Sequence, residues 1–343
     1  AVLRSFEMEL GSEVIRVDEA GLMGAYGCAL HAKQQHDKDH KATTTLSLAK
    51  LSSFSHRTRT VHCKGCTNAC LLTINSFDSD RKLISGNKCD RIVRPDSFVS
   101  NPELLNLYAF KQQYLAGLAS ERNKRGRIGL PLQLSYYEQL PFWHACLSSL
   151  GFEVVVSEPS TRQTYLRGQS TISSDTICYP AKLMHGHIQQ LIDAGVETVF
   201  YPCSSYNLKE EKGDNHFNCP VVAYYPEVLR HNMPALLEQK VLFISDYLSL
   251  ADERFLPLRL HEILSKHFIL DKKEVRLACK LGYEALKNYQ KAVRAQSLII
   301  INEARKRGWP IMVLAGRPYH VDGEVNHGID SLLLQCNCAV LSE

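Results

Sequence analysis

Four cysteines in one short segment, Cys63, Cys66, Cys70 and Cys89, carry the sharpest chemical pattern in the chain. The first three follow a Cys-x2-Cys-x3-Cys spacing, and the fourth comes just after a Gly86-Asn87 turn. Thiolates are soft anionic donors. Four of them in a compact loop can close a tetrahedral shell around Zn²⁺ or ligate an iron–sulfur cluster. Gly65 and Gly86 permit the tight turns that such a knuckle needs. Zinc ribbons favour paired CxxC motifs, so the mixed spacing leans toward iron–sulfur while leaving both metals open. A segment this short buries little core, and its folding energy is expected to come from the metal.

A second set, Cys178, Cys203 and Cys219, is dispersed. Cys178 precedes Tyr179-Pro180 at a helix start, where the helix dipole favours a thiolate. Cys203 follows a strand ending near Pro202, and Cys219 precedes Pro220 before what reads as the next strand, residues 220–224. Ligands of open α/β sheets gather beyond the carboxyl ends of the strands. Cys178 and Cys203 suit that edge, whereas Cys219 suits it only if its loop folds back. On spacing alone, three core cysteines are the commoner reading. Lys182 and His185 fall four and seven positions after Cys178, on the same helix face. That pair could bind an anionic substrate or supply a proton; spacing equally allows solvated polar residues on a helix edge. Cys146 and Cys279 sit in amphipathic helices and read as core, and the His36–His40 pair belongs to a solvated charge run. Arg317-Pro-Tyr-His320 follows a strand, where a ligand loop or an ordinary turn would stand. The chain has no phosphate loop, no GxSxG and no dinucleotide fingerprint.

The elements that must position these residues alternate from residue 126 onward. Residues 127–134, 152–156 and 196–201 read as strands, and 137–150 and 178–194 as helices stopped by Gly151 and Gly195. This alternation predicts an α/β fold with a Rossmann-like parallel sheet. Residues 258–307 read as almost purely helical, with Leu281, Ala285, Tyr289 and Val293 as an apolar stripe. Residues 311–315 and 339–341 then open a second α/β unit. Near the N-terminus, Gly21 to Leu30 reads as a small-residue helix suited to close packing, and His31 to Thr60 as a linker.

Length and composition narrow the class. The chain has 343 residues, 45% hydrophobic and 22% charged, which is the balance of a globular protein. No run approaches the roughly 18 apolar residues of a membrane helix, and the N-terminal residues lack a signal-peptide layout. A net charge of +4 gives nucleic-acid binding no support. Twelve cysteines are too dilute for a disulfide scaffold, so a reduced, cytoplasmic protein is expected.

Several segments together resemble the large acyl-CoA dehydratase activase-related proteins of anaerobes. The motifs are Gly129-Leu-Pro131, Tyr137-Glu138, Leu140-Pro-Phe-Trp143 and Asp175-Thr-Ile-Cys178-Tyr-Pro-Ala-Lys182-Leu-Met-His185-Gly-His187. Tyr201-Pro-Cys203, Asn218-Cys219-Pro220, Tyr225-Pro-Glu227, Leu314-Ala-Gly-Arg317-Pro-Tyr-His320 and Asn326-His327-Gly328-Ile329 complete the set. In that family an ATP-hydrolysing activase is fused to a region akin to 2-hydroxyacyl-CoA dehydratase subunits. The likeness extends over nearly the whole chain except the linker. It implies the tail of an activase (ASKHA-type) fold at 1–32, a linker at 33–60 and a cysteine-rich metal module at 61–110. It further implies a dehydratase-like α/β domain at 125–250, a helical block at 251–309 and the start of a second α/β domain at 310–343. Both ends then read as cut, making the chain an internal fragment that is inactive alone.

The resemblance also implies a chemistry. Activases of this kind use ATP to drive one electron onto a dehydratase cluster, which reduces a thioester carbonyl and eases loss of a hydroxyl. Cys178, Cys203 and Cys219 become ligand candidates for a 4Fe-4S cluster, with Lys182 and His185 as catalytic candidates. ATP enters only through the missing activase part. The implied partners are the rest of the parent chain, an acyl-CoA thioester and a second copy of the chain, with no nucleic acid and no membrane. Two other classes remain open: a non-catalytic electron-relay or maturation module, and a structural segment in which Cys63, Cys66, Cys70 and Cys89 hold zinc.

Overall fold

The computed structural model describes residues 2–15, 17–40, 47–64, 69–77, 81–87, 105–118, 125–208 and 213–342. It divides into two units, Ala1–Arg57 with Ser76–Lys82, and Thr58–Asn75 with Leu83–Glu343. The first unit contains α1 (Val2–Leu10), α2 (Met23–Asp39) and α3 (Leu48–Ser52). The small-residue helix expected at Gly21 to Leu30 is present as α2, and it runs on to Asp39, where His40 adopts φ +48° and ends it. Ala32, Lys33, Gln34 and Gln35 are good helix formers and carry the helix through a stretch whose charge suggested a linker. α2 buries none of its residues; Leu22, Met23, Tyr26 and Leu30 all face outward.

The strands β1 (His56–His62), β2 (Leu71–Phe77) and β3 (Lys82–Ser85) pair in that order. β2 turns Leu72 and Ile74 inward. Gly86 has φ +85°, and a Cβ there would stand 2.3 Å from the Leu71 carbonyl oxygen, so the turn after β3 accepts only glycine. α4 (Leu107–Ala116) follows, capped by the Asn106 side chain, which accepts from the Tyr108 and Ala109 N–H groups.

The sheet that positions the candidate site is built from β4 (Arg127–Leu130), β5 (Glu153–Val156), β6 (Thr198–Phe200) and β7 (Leu242–Ile244). Its order is β5-β4-β6-β7, and every pairing is parallel. Between these strands run α5 (Tyr136–Ser149), α6 (Arg162–Gly168), α7 (Tyr179–Asp193), α8 (Pro220–Asn232) and α9 (Pro234–Leu237). α/β alternation is therefore observed as expected, with Gly151 and Gly195 in the left-handed region just past α5 and α7. The strands are shorter than the apolar runs suggested: residues 127–134 give a strand only to Leu130, after which Pro131 lacks an N–H for the ladder. Residues 220–224, expected as a strand, form the first turns of α8. A short Val-Val-Ala run has no decisive periodicity, and Pro220 at the first helical position settles it toward helix.

The chain continues through α10 (Leu256–Leu264) and α11 (Lys272–Arg307), a helix of 36 residues and about 54 Å at 1.5 Å per residue. Its buried stripe is Val275, Ala278, Cys279, Gly282, Tyr283, Leu286 and Tyr289, continued by Ile300 and Ala304. Of the stripe expected through Leu281, Ala285, Tyr289 and Val293, Tyr289 is buried and Val293 packs on the core, but Leu281 is exposed. A strict four-residue spacing drifts about 40° per step around a helix of 3.6 residues per turn, so it cannot hold one face. The N-terminal half of α11 packs against α5 and the sheet core. Its C-terminal half packs with Leu105, Leu107, Ala339 and Val340 in a separate core.

That second core carries β8 (Ile311–Leu314), α12 (Gly323–Asn326), α13 (Ile329–Gln335) and β9 (Ala339–Ser342), with β8 and β9 parallel. Met312 and Val313 remain exposed on β8. Among the described residues no helix is long and apolar enough to cross a membrane.

The same glycine-to-alanine change has opposite expected signs on two helices. A Cβ at Gly282 would lie 2.9 Å from the Phe142 ring, whereas one at Gly27 meets nothing within 4 Å. Gly282→Ala is expected to destabilise by about 1–3 kcal/mol through overpacking, and Gly27→Ala to be neutral or stabilising by up to about 1 kcal/mol. Urea unfolding of both variants checks this; equal effects would refute the close α11–α5 contact.

Candidate functional site at the carboxyl edge of the parallel sheet

Each cysteine of the dispersed set lies just beyond the sheet. Cys203 follows β6 and continues its pairing: its N–H donates to the Ser245 carbonyl at 3.2 Å, and it bridges to Tyr247. Cys178 is the N-cap residue of α7 and Cys219 that of α8. In a parallel sheet, helices leading back to the strands begin at this carboxyl edge. The reservation about Cys219 rested on a strand after it; with α8 starting at Pro220, its position matches that of Cys178. The thiols differ in burial: Cys203 is buried, Cys219 half-buried and Cys178 exposed. Cys219 Sγ accepts from the Val222 N–H at 3.5 Å, while the Cys178 side chain makes no cap bond.

Tyr201 feels the charge of all three. Its phenol is buried, which pushes its pKa well above the usual value, and the thiols of Cys203, Cys219 and Cys178 each raise it further. Tyr319 is raised mainly by burial and then by the same Cys178 and Cys219. Burial, opposed in part by Arg230, pushes the Cys203 thiol up to about 11. The Tyr201 hydroxyl is itself fully buried and has no hydrogen-bond partner among the described residues.

The catalytic candidates are placed as follows. Lys182 Nζ donates to the Asp175 carbonyl at 2.8 Å, holding the loop that leads into Cys178. His185 is completely buried, with Nδ1 at 2.8 Å from Thr171 Oγ1 and Nε2 at 2.9 Å from the Tyr225 hydroxyl. Tyr225, its partner, has its own pKa raised by burial and then by the charge of Cys178. Burial lowers His185 to about 4, so it is neutral at pH 7.

Sequence reasoning missed a buried polar network at the same edge. Asp322 Oδ2 accepts from Gln133 Nε2 at 3.2 Å, Tyr137 at 2.7 Å and Ser160. Its Oδ1 caps α12 by accepting from the Glu324 and Val325 N–H groups. His187 lies between Ser160 Oγ at Nε2 and Ser157 Oγ at Nδ1, each 2.8 Å away. Ser160 gives its one hydrogen to Asp322, so His187 presents Nε2–H to Ser160 and accepts at Nδ1. A hydrolytic triad would bond the carboxylate to the imidazole; here it holds the serine proton away from His187. The network is a fastening. It fixes the segment after Arg317-Pro-Tyr-His320 against the strand ends, and Tyr179, beside Cys178, donates to Glu324 at 2.7 Å. The Asp-Gly-Glu sequence at 322–324, a helix-start pattern, was the available signal.

In the other cysteine set, the Cys63 N–H donates to the Cys70 carbonyl at 2.8 Å, closing the loop between them. Cys66 and Cys89 lie outside the described residues. Cys146 and Cys279 are buried as expected and contact each other across the α5–α11 interface. Among the described residues no three His, Cys, Asp or Glu side chains converge as a single metal ion would require.

The model of one protein family, the CoA enzyme activase uncharacterised domain (DUF2229), matches residues 127–343. The chain belongs to this family. Cys178, Cys203, Cys219, Tyr201, Lys182, His185 and the Asp322 network all fall inside the CoA enzyme activase domain, whereas Cys63 and Cys70 precede it. No curated protein and no solved structure matches the chain.

The two buried histidines of the activase domain set a pH dependence. Burial lowers His187 to about 4 as well, against an opposing pull from Asp322. The unfolded histidines titrate near 6.5, so between pH 4 and 6.5 the unfolded chain binds more protons. Stability is therefore full above pH 6.5 and falls as pH drops toward 4, by about 3 kcal/mol per histidine. His187→Gln is expected to remove roughly half of that slope in urea titrations across pH 4–7, and an unchanged slope overturns the assignment.

Proposed function

We propose that this chain is an iron–sulfur-binding component of an ATP-driven electron-transfer system related to 2-hydroxyacyl-CoA dehydratase and its activator. Its substrate class is an acyl-CoA thioester, its reaction radical dehydration or a related low-potential reduction, and its compartment the cytoplasm. The reading is supported by the position of Cys178, Cys203 and Cys219 at the carboxyl edge of the sheet, each acting electrostatically on Tyr201, within the segment that matches the CoA enzyme activase domain. We read the four-stranded sheet as Rossmann-like, with this edge as its ligand edge.

The donor set suits a 4Fe-4S cluster held by the three thiolates. Sulfurs around a cubane stand about 6–7 Å apart, wider than a single ion tolerates. When bound, such a cluster supplies one-electron chemistry and an iron free of protein thiolate, open to a carbonyl oxygen. The chain's own residues then divide the remaining work. Lys182 spends one ammonium hydrogen on Asp175 and keeps two for an anionic substrate group. His185 acts through Tyr225 and is a positioning residue. The Asp322 network holds Tyr319 and Glu324 at the cysteine edge and excludes water from behind it. Cys63, Cys66, Cys70 and Cys89 form a second metal module, holding a cluster or zinc, and ATP is used by the activase partner.

Anaerobic purification of the whole chain, with absorbance near 400 nm and iron, sulfide and zinc analysis, tests this. Cys178→Ser, Cys203→Ser and Cys219→Ser together are expected to remove about one cluster's iron and sulfide. Cys66→Ser is expected to lower metal separately and to expose residues 61–91 to protease. Full iron retention in the triple variant rejects the shared site; zinc without iron in the wild type favours the structural-segment reading.

A further inference from the structure

The Tyr201 hydroxyl stands unpaired between two tyrosines whose hydroxyls are paired. Tyr225, beside it, bonds His185 at 2.9 Å, and Tyr136, whose ring centre is 5.9 Å away, donates to the Phe200 carbonyl at 2.6 Å. Tyr201 is 1% exposed and its hydroxyl has no partner among the described residues. A buried phenol oxygen without a hydrogen bond is costly, and the great majority of such groups are paired in folded proteins. The ring cannot turn its oxygen to water, because it is packed in the sheet core behind β6. The hydroxyl lies within electrostatic reach of the Cys203, Cys219 and Cys178 thiols, which stand at the strand end, the α8 start and the α7 start.

We propose that Tyr201 is a hydrogen-bond donor to the sulfur-rich group held by Cys178, Cys203 and Cys219. This rests on the cluster reading above and deepens it. The partner is a thiolate or sulfide sulfur, a much stronger acceptor than a neutral thiol sulfur. The hydroxyl therefore stays unpaired in the empty chain and becomes paired in the loaded one. A hydrogen bond to a cluster sulfur withdraws negative charge and raises the reduction potential. The tyrosine then sets how readily the cluster accepts its electron, without itself being a ligand.

Tyr201→Phe keeps the ring and deletes only the oxygen, and it is measured in two states. In metal-free whole chain, the variant is expected to melt at the same temperature as wild type or higher, since it removes an unpaired buried group. Tyr225→Phe, which strands His185 Nε2, is expected to melt lower. In anaerobically reconstituted chain, Tyr201→Phe is expected to retain full iron and sulfide while its midpoint potential falls. A shift of about 59 mV corresponds to a tenfold change in the oxidised-to-reduced ratio at fixed poise. A metal-free Tyr201→Phe that melts as low as Tyr225→Phe, or a loaded variant with unchanged potential, overturns the inference alone. A wild-type chain that takes up no iron overturns the cluster reading and this inference with it.

Discussion

One buried carboxylate organises the edge of the sheet. Asp322 is 1% exposed, and an ion so deeply desolvated is tolerated only when hydrogen bonds replace its water. Five donors do so: Gln133, Tyr137 and Ser160 on one oxygen, and two N–H groups of α12 on the other. These donors come from after β4, from α5, from after β5 and from α12. The carboxylate thus ties the segment after β8 to the strand ends of the first sheet. The same segment, carrying Tyr319 and Glu324, is also held by Gln112, which donates to the Val321 carbonyl, and by Tyr319 packing on the core. His187 shares the same serine, so the helix bearing Cys178 is fastened to the same point.

Helix α11 supplies the other half of the rigidity. It is continuous from the core of the parallel sheet to the core beneath β8 and β9, with one apolar stripe serving both. Gly282 lets Phe142 sit against the helix backbone, which brings α5 close, and α5 in turn carries Tyr137 to Asp322. The helix and the carboxylate together join two α/β units at two separated places, which resists hinge motion between them more strongly than either would alone.

Much of this was legible in the chain. Strand and helix alternation, glycine stops after α5 and α7, and the core roles of Cys146 and Cys279 follow from local pattern. The first turns of α8 did not, because a three-residue apolar run has no period and its proline can open a strand or a helix. The stripe of α11 was misplaced at Leu281 through a spacing that looks regular but precesses. For the candidate site, the cysteine positions were readable from their neighbours, but their electrostatic effect on Tyr201 depends on tertiary packing. The Asp322 network was hidden for the same reason: its members come from five separate stretches, and the helix-start pattern at 322–324 marks only the local cap.

The unequal burial of the three thiols has a consequence for their reactivity in order. Cys178 lies open, and Pro180 removes one of the N–H groups that a capping side chain could otherwise engage. Cys219 is half-sheltered and leans on the Val222 N–H, while Cys203 is enclosed and its thiol is held protonated up to about pH 11. An alkylating or oxidising reagent thus meets a graded series rather than three equivalent groups, and the outermost thiol is consumed first. The edge of the sheet is therefore chemically directional, with damage entering at the α7 start and the β6 end the last to be reached.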